Sequence, residues 1–174
     1  MKRKAEFIAL TGFMGTGKTA VGRALAERLG WKFVDTDTRI EEMEGSSVAE
    51  IFARKGELYF RRREREVVER LVGEKKVVVA TGGGTIVDPR NRELLRAAGP
   101  LVCLRASPEE IERRTQGPER PLLEGAANRS ERIRTLLAER EAAYAGADYH
   151  VDTNGLEVEQ VVEKILELLR EGGN

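Results

Sequence analysis

The chain predicts an α/β fold built on a mostly parallel sheet of about five strands. Three observations carry that expectation. Short apolar runs alternate with amphipathic helical segments along the whole length. The clearest of those runs, Val77-Val78-Val79-Ala80-Thr81, is continuous and β-branched rather than alternating, as in a parallel strand buried on both faces. The first run, finally, opens into a glycine-rich turn that starts a helix. With 174 residues the chain reads as one domain with room for a proper core.

Phe7-Ile8-Ala9-Leu10 is the first strand. It leads into Gly12-Phe13-Met14-Gly15-Thr16-Gly17-Lys18-Thr19, which fits G-x-x-x-x-G-K-[ST], the phosphate-binding P-loop. In that motif backbone N–H groups turn around a phosphate, the helix N-terminus adds positive potential, the lysine reaches the β/γ-phosphates and the hydroxyl is offered to Mg²⁺. Val21, Ala24, Leu25, Arg28 and Leu29 then mark an amphipathic helix that Gly30 ends. Lys32-Phe33-Val34-Asp35 is the second strand. From Thr38 to Val72 the pattern is helical, broken at Gly45 and Gly56, with a capping box in Ser47 and Glu50 and the longest segment over Glu57 to Val72. The third strand, Val77 to Thr81, runs into Gly82-Gly83-Gly84. Asp88-Pro89 pairs an N-cap with a first-turn proline and opens a helix to about Ala98, which Gly99 ends. Leu101 to Arg105 is the fourth strand, and Ser107-Pro108-Glu109-Glu110 combines cap, proline and capping-box Glu for the next helix. Gln116 to Ala127 has no apolar period and predicts a loop of functional length. Asn128 and Glu131 restart a helix to about Tyr144, Asp148 to Asp152 is the last strand, and Val158, Val161, Val162, Ile165 and Leu169 mark the closing helix.

Composition narrows the function classes. Thirty basic and thirty acidic residues cancel, which argues against nucleic acid or an anionic membrane as partner and leaves small charged ligands. Cys103 is the only cysteine. It allows no disulfide framework and no thiolate metal cluster, and its setting in Leu101-Val102-Cys103-Leu104 is that of a core residue. Met1 to Glu6 are charged and lack the apolar stretch of a signal peptide. The cytoplasm is the expected location, and with no heptad seam a monomer is the expected state.

A P-loop alone does not separate kinases from nucleotide hydrolases, switches or motors. Here the third strand ends in Thr-Gly-Gly-Gly and not in the metal-binding Asp of the usual hydrolase. Asp35 and Asp37 follow the second strand and can meet a nucleotide at the carboxyl edge of the sheet, one serving a metal and the other a second ligand; a surface turn is the alternative. Arg61 and Glu64 are three apart on the long helix, with Phe60 beside them. On pattern alone Arg61 could equally join Arg62, Arg63 and Arg65 on a solvated face. Arg120, in the long loop, is a candidate lid arginine over the phosphates. His150, the only histidine, sits inside a strand and reads as core or strand surface, so a proton acceptor should be a carboxylate.

Five separated motifs occur in one order: Gly12 to Thr19; Asp35-Thr36-Asp37; Gly56, Glu57, Phe60, Arg61 and Glu64; Gly82-Gly83-Gly84; and Arg120-Pro121-Leu122-Leu123, with Arg140 and Tyr144 beyond. Together they resemble the shikimate kinase family, in the nucleoside monophosphate kinase branch of P-loop proteins, across nearly the full length. The resemblance implies a three-layer P-loop fold in a single domain spanning 1–174, with a five-stranded parallel sheet, a helical substrate-binding insertion over about 38–72 and a lid over about 114–128. It implies ATP-dependent phosphorylation of the shikimate 3-hydroxyl, with Mg²⁺ as the metal. ATP would be held by Gly15, Thr16, Gly17, Lys18, Thr19, Ala20, Arg114 and Arg120, with Lys18, Asp37 and Arg120 catalytic. Thr19 would bind the metal directly and Asp35 through water. Shikimate would meet Asp37, Phe52, Phe60, Arg61, Glu64, Gly82, Gly83, Gly84 and Arg140, its carboxylate falling to Arg61 and Arg140. Two other classes remain at this point: a related small-molecule kinase, such as a gluconate kinase, and a nucleotide-driven switch module.

Overall fold

In the computed structural model, which describes residues 5–116 and 128–173, the expected strands are β1 (Phe7–Gly12), β2 (Lys32–Asp35), β3 (Val77–Ala80), β4 (Leu101–Arg105) and β5 (Tyr149–Asp152). All pair in parallel, in the order β2-β3-β1-β4-β5. Parallel pairing demands long crossovers, and helices supply them. They are α1 (Lys18–Leu29), α2 (Thr36–Glu44), α3 (Val48–Lys55), α4 (Glu57–Leu71), α5 (Pro89–Ala98), α6 (Pro108–Arg114), α7 (Arg129–Ala145) and α8 (Val158–Glu171).

Side-chain alternation along each strand feeds two cores. Ile8, Leu10, Val78, Val102 and Leu104 face one layer, where Val21 and Leu25 of α1 and Val161 and Ile165 of α8 cover them. Phe7, Ala9, Val77, Val79, Leu101 and Cys103 face the other, under Val67 and Leu71 of α4, Leu95 of α5 and Ile133 and Tyr144 of α7. Cys103 is thus a core residue. His150 is exposed on β5, its Nδ1 accepting from Arg105 Nε at 3.2 Å.

The topology creates a crevice. The chain leaving β1 turns into α1 on one face, while the chain leaving β3 turns through the 3-10 turn Thr85–Val87 into α5 on the other. Between adjacent strands whose connections part in this way, the carboxyl edge of the sheet stays open. The P-loop and the triple glycine border it, and Asp35 at the end of β2 lies beside Ala80 in register.

Local chemistry refines several expected boundaries. The helical insertion starts at Thr36 rather than Thr38, because the Asp35 carboxylate caps α2 by accepting from Asp37 N and Thr38 N. That puts Asp37 in the first turn of a helix instead of a loose turn. Ser47 and Ser107 do accept from the N–H groups of Glu50 and Glu110. The return half of the expected capping box is replaced at Glu110 by ion pairs to Arg113 and Arg114, and Val48 N is capped by Glu41 at 3.0 Å. Of the segment expected as a lid over about 114–128, Arg114 closes α6 and Thr115 is buried, while 117–127 lie outside the described residues.

Leu25 is fully buried between α1 and the sheet. Leu25→Ala leaves a cavity and should cost about 2–5 kcal/mol, lowering Tm by roughly 5–15 °C for a chain of this size. Calorimetry measures it, and a shift under about 2 °C would mean that α1 is not packed on the sheet as described.

Candidate active site

The P-loop is folded around its own carbonyls. Thr16 Oγ1 donates to Phe13 O at 2.8 Å, and Lys18 Nζ donates to Gly12 O at 2.7 Å and Phe13 O at 2.8 Å. Gly17, with φ of 91°, is the N-cap of α1, a left-handed turn that a Cβ would strain. Thr19 Oγ1 donates to Asp35 Oδ2 at 2.9 Å, so a hydroxyl and a carboxylate meet beside Lys18. Gly15, Gly17, Lys18, Thr19, Ala20, Asp35, Asp37 and Arg114 line a cleft of about 370 Å³. Thr16 is buried behind it.

Arg114 is fixed over the P-loop rather than carried on a lid. Its guanidinium donates to Gly15 O, Thr153 Oγ1 and Thr153 O, each at 3.2 Å, and its Nε to Glu110 at 2.8 Å. Arg113 is exposed and paired only with Glu110 among the described residues. Of the two arginines the sequence offers, Arg114 therefore borders the cleft. Arg120 lies outside the described residues.

A second cleft of about 370 Å³ opens beside the first, against the helical insertion. Phe52, Phe60, Arg61, Glu64, Gly82, Gly83, Gly84 and Arg140 line it together with Asp37. The Phe52 and Phe60 rings pack at a tilt of 47° with centroids 5.0 Å apart. Arg61 Nη1 donates to Glu64 Oε1 at 2.9 Å and Nη2 to Glu57 Oε1 at 3.3 Å. Of the expected solvated face only Arg62 is exposed; Arg63 and Arg65 are half-buried like Arg61, but they pair with Glu44 and Asp88 and do not line this cleft. Arg140 is 6% exposed, lies over the Phe13 ring at 5.4 Å, and keeps Nη1 without a hydrogen-bond partner among the described residues. A buried guanidinium with an unanswered donor calls for an anion in the cleft.

The triple glycine lets these charges close in. A Cβ at Gly82 would stand 2.7 Å from Asp37 Oδ1 and 3.0 Å from Glu64 Oε2, and one at Gly84 would strike the Arg61 guanidinium at 2.7 Å. Asp37 borders both clefts, as do Met14, Gly82 and Gly83. Its Oδ1 is buried without a partner among the described residues. Burial first, then the Glu64 and Asp35 carboxylates, push its carboxyl up from 3.8 to about 7, against the pull of Lys18 and Arg61. A carboxyl raised to about 7 at the junction of two clefts is suited to take up and release a proton near neutral pH.

Thr36 and Tyr144, which the motifs contain without a role, and Thr85 and Asn91, which they do not contain, support the site. Thr36 Oγ1 accepts from Gly82 N at 2.9 Å, and Tyr144 Oη donates to Gly83 O at 2.6 Å, pinning the glycines from two sides. Burial pushes the Tyr144 hydroxyl up to about 12, so it remains a donor. Only its spacing of four from Arg140, which places both on one face of α7, hints at this. Thr85, in the turn after the glycines, donates to Glu64 Oε2 at 2.7 Å, and Asn91 of α5 donates to Thr85 O at 3.0 Å.

A family model described as shikimate kinase matches residues 14–170. A shikimate kinase from Geobacter sulfurreducens is 51% identical over 165 residues, covering 94% of this chain and 91% of its own. One from Thermus thermophilus is 50% identical over 169 residues, covering 96% and 91%. Among solved structures, shikimate kinase from Acinetobacter baumannii in complex with shikimate matches with a TM-score of 0.92 at 40% identity, covering 96% of this chain and 94% of that one.

The raised Asp37 carboxyl makes stability depend on pH. Between 3.8 and about 7 the folded state keeps a proton that the unfolded state has released. The stabilising contribution is therefore full below 3.8 and is lost as pH rises through about 7. Asp37→Asn removes that loss. Its Tm should exceed the parent's by roughly 3–8 °C at pH 8 and by little at pH 4. An equal advantage at both pH values would return the folded carboxyl to its ordinary range.

Proposed function

The chain belongs to the shikimate kinase family, and we propose on that premise that Arg61 and Arg140 hold the shikimate carboxylate while Asp37 presents the 3-hydroxyl to ATP. The enzyme phosphorylates shikimate with ATP, in aromatic amino acid biosynthesis. The observation that carries the residue assignment is the unanswered Nη1 of buried Arg140 across the triple glycine from Arg61. Two guanidinium groups there offer the charge-assisted, forked donors that a carboxylate takes. Glu64 holds Arg61, Phe52 and Phe60 wall the ring, and backbone N–H groups of Gly82, Gly83 and Gly84 approach the substrate without intervening side chains.

Asp37, on the border of both clefts, orients the acceptor hydroxyl. The 3-oxygen attacks the γ-phosphorus, the bond from that phosphorus to the bridging oxygen of ADP breaks, and the hydroxyl proton passes to an Asp37 Oδ. Phosphoryl transfer of this kind goes through a loose transition state in which alignment and charge neutralisation do most of the catalysis. Gly15, Thr16, Gly17 and Ala20 cradle the phosphates, and Lys18 offsets charge on the transferring group. Arg114 borders the adenine, supported by its bonds to the Thr153 turn. Thr19 Oγ1 and Asp35 Oδ2, hard oxygens 2.9 Å apart, fit a Mg²⁺ bound directly by the first and through water by the second. Such an ion would neutralise the β- and γ-phosphate oxygens. Arg120 is the lid arginine, on the lid expected over about 114–128, with α2 to α4 as the substrate-binding insertion of a single domain. No helix among the described residues is long and apolar enough to cross a membrane. We further take the enzyme to be a cytoplasmic monomer with small-molecule partners only and no nucleic-acid partner.

ADP release from Mg-ATP should rise strongly on adding shikimate and not on adding gluconate or nucleoside monophosphates. Turnover indifferent to shikimate would indicate a switch module instead. Arg61→Lys, which loses the forked geometry, should raise the shikimate KM at least ~10-fold with ATP KM within about twofold. Arg120→Ala should lower kcat at least ~10²-fold with shikimate KM nearly kept. An unchanged kcat would remove Arg120 from the chemistry.

A further inference from the structure

One carboxylate in the substrate cleft is tied down from both sides. Glu64 is 1% exposed; its Oε1 accepts from Arg61 Nη1 at 2.9 Å and its Oε2 from Thr85 Oγ1 at 2.7 Å. Thr85 belongs to the 3-10 turn after the triple glycine, and its N–H donates to Gly82 O at 3.1 Å. Its carbonyl accepts in turn from Asn91 Nδ2 of α5 at 3.0 Å. Asn91, Thr85, Glu64 and Arg61 therefore form a continuous chain from α5 to the guanidinium, and its first three members are buried.

Each link has a physical reason. A glutamate held only by its ion pair keeps torsional freedom, and the arginine it holds moves with it. Thr85 removes that freedom by engaging the second oxygen. Without this donor, Oε2 would sit buried and unpaired, 3.0 Å from the Cβ position at Gly82 that Asp37 Oδ1 also approaches. Asn91 is informative for a different reason. Its Oδ1 is buried with no partner among the described residues. An apolar side chain would avoid that cost, so what asparagine supplies here is the Nδ2 bond that fixes the Thr85 turn.

We propose that Thr85 and Asn91 are positioning residues for substrate recognition: they hold Glu64, and through it the Arg61 guanidinium, in place for the acceptor's carboxylate. The inference rests on the reading of Arg61 as a carboxylate ligand.

Steady-state kinetics on substituted full-length enzyme test it. Thr85→Val keeps the shape and deletes the donor; it should raise the shikimate KM ~10-fold while ATP KM and kcat stay within about twofold. Thr85→Ser keeps the hydroxyl and should stay within about twofold of the parent in all three. Asn91→Leu should give a smaller rise in shikimate KM alone. In an Arg61→Lys background Thr85→Val should add nothing, since both act on one contact. If Thr85→Val does not fold, Thr85→Ala against Thr85→Ser makes the same comparison. A parental shikimate KM without the hydroxyl, an equal loss in Thr85→Ser, or full additivity with Arg61→Lys would each overturn the proposal. A parental shikimate KM in Arg61→Lys alone would instead overturn the carboxylate assignment on which it rests.

Discussion

Two carboxylates share the space left by a missing Cβ. Asp37 Oδ1 and Glu64 Oε2 both close on Gly82, and neither position is open to any other residue there. Like charges this close raise the proton affinity of whichever is less well compensated. Glu64 has Arg61 and Thr85; Asp37 Oδ1 has no partner among the described residues, so Asp37 carries the shift. Identical chemistry thus gives one carboxylate held by two donors and one carboxyl pushed up to about 7. The difference between the two carboxyls follows from burial of Asp37 first and from the nearby Glu64 and Asp35 carboxylates second.

The same crowding explains why the surroundings are rigid. A buried charge that lost its partner would cost several kcal/mol or change protonation, so the groups around it are fixed from separate elements. Thr36 of α2 and Tyr144 of α7 hold the glycine backbone, Glu64 of α4 holds Arg61, and the Phe13 ring backs Arg140. The sheet supplies the frame: β1 and β3 end side by side, their continuations leave on opposite faces, and the phosphate and acceptor clefts meet at Asp37.

Much of this could be read in the chain. The β-branched runs and their helical intervals gave the five strands, because burial on both faces leaves a continuous apolar signature. Gly12 to Thr19 announced a phosphate site, since the motif encodes backbone geometry locally. Arg61 was different. Within Arg61-Arg62-Arg63-Glu64-Arg65-Glu66 periodicity cannot tell the guanidinium that lines the cleft from those that pair with Glu44 and Asp88 or face solvent, and the resemblance of motifs supplied what pattern could not. Arg114 and Arg113 were likewise separated only by where α6 ends relative to Gly15 and Thr153.

What the sequence by itself determined is whatever depends on near neighbours: strand and helix identity, the P-loop turn, the Asp35-Thr36-Asp37 and triple-glycine punctuation at strand ends. What only the tertiary structure decided is which side chains converge. Thr85 and Asn91 carry no local mark of function, and Thr36 and Tyr144 stand in the motifs without a legible role, because each acts through a hydrogen bond to a group at least six residues away and outside its own element. The proton affinity of Asp37 belongs to the same class. Desolvation and the nearness of Glu64, twenty-seven positions along the chain, set it, and both exist only once the sheet and the insertion have closed around Gly82.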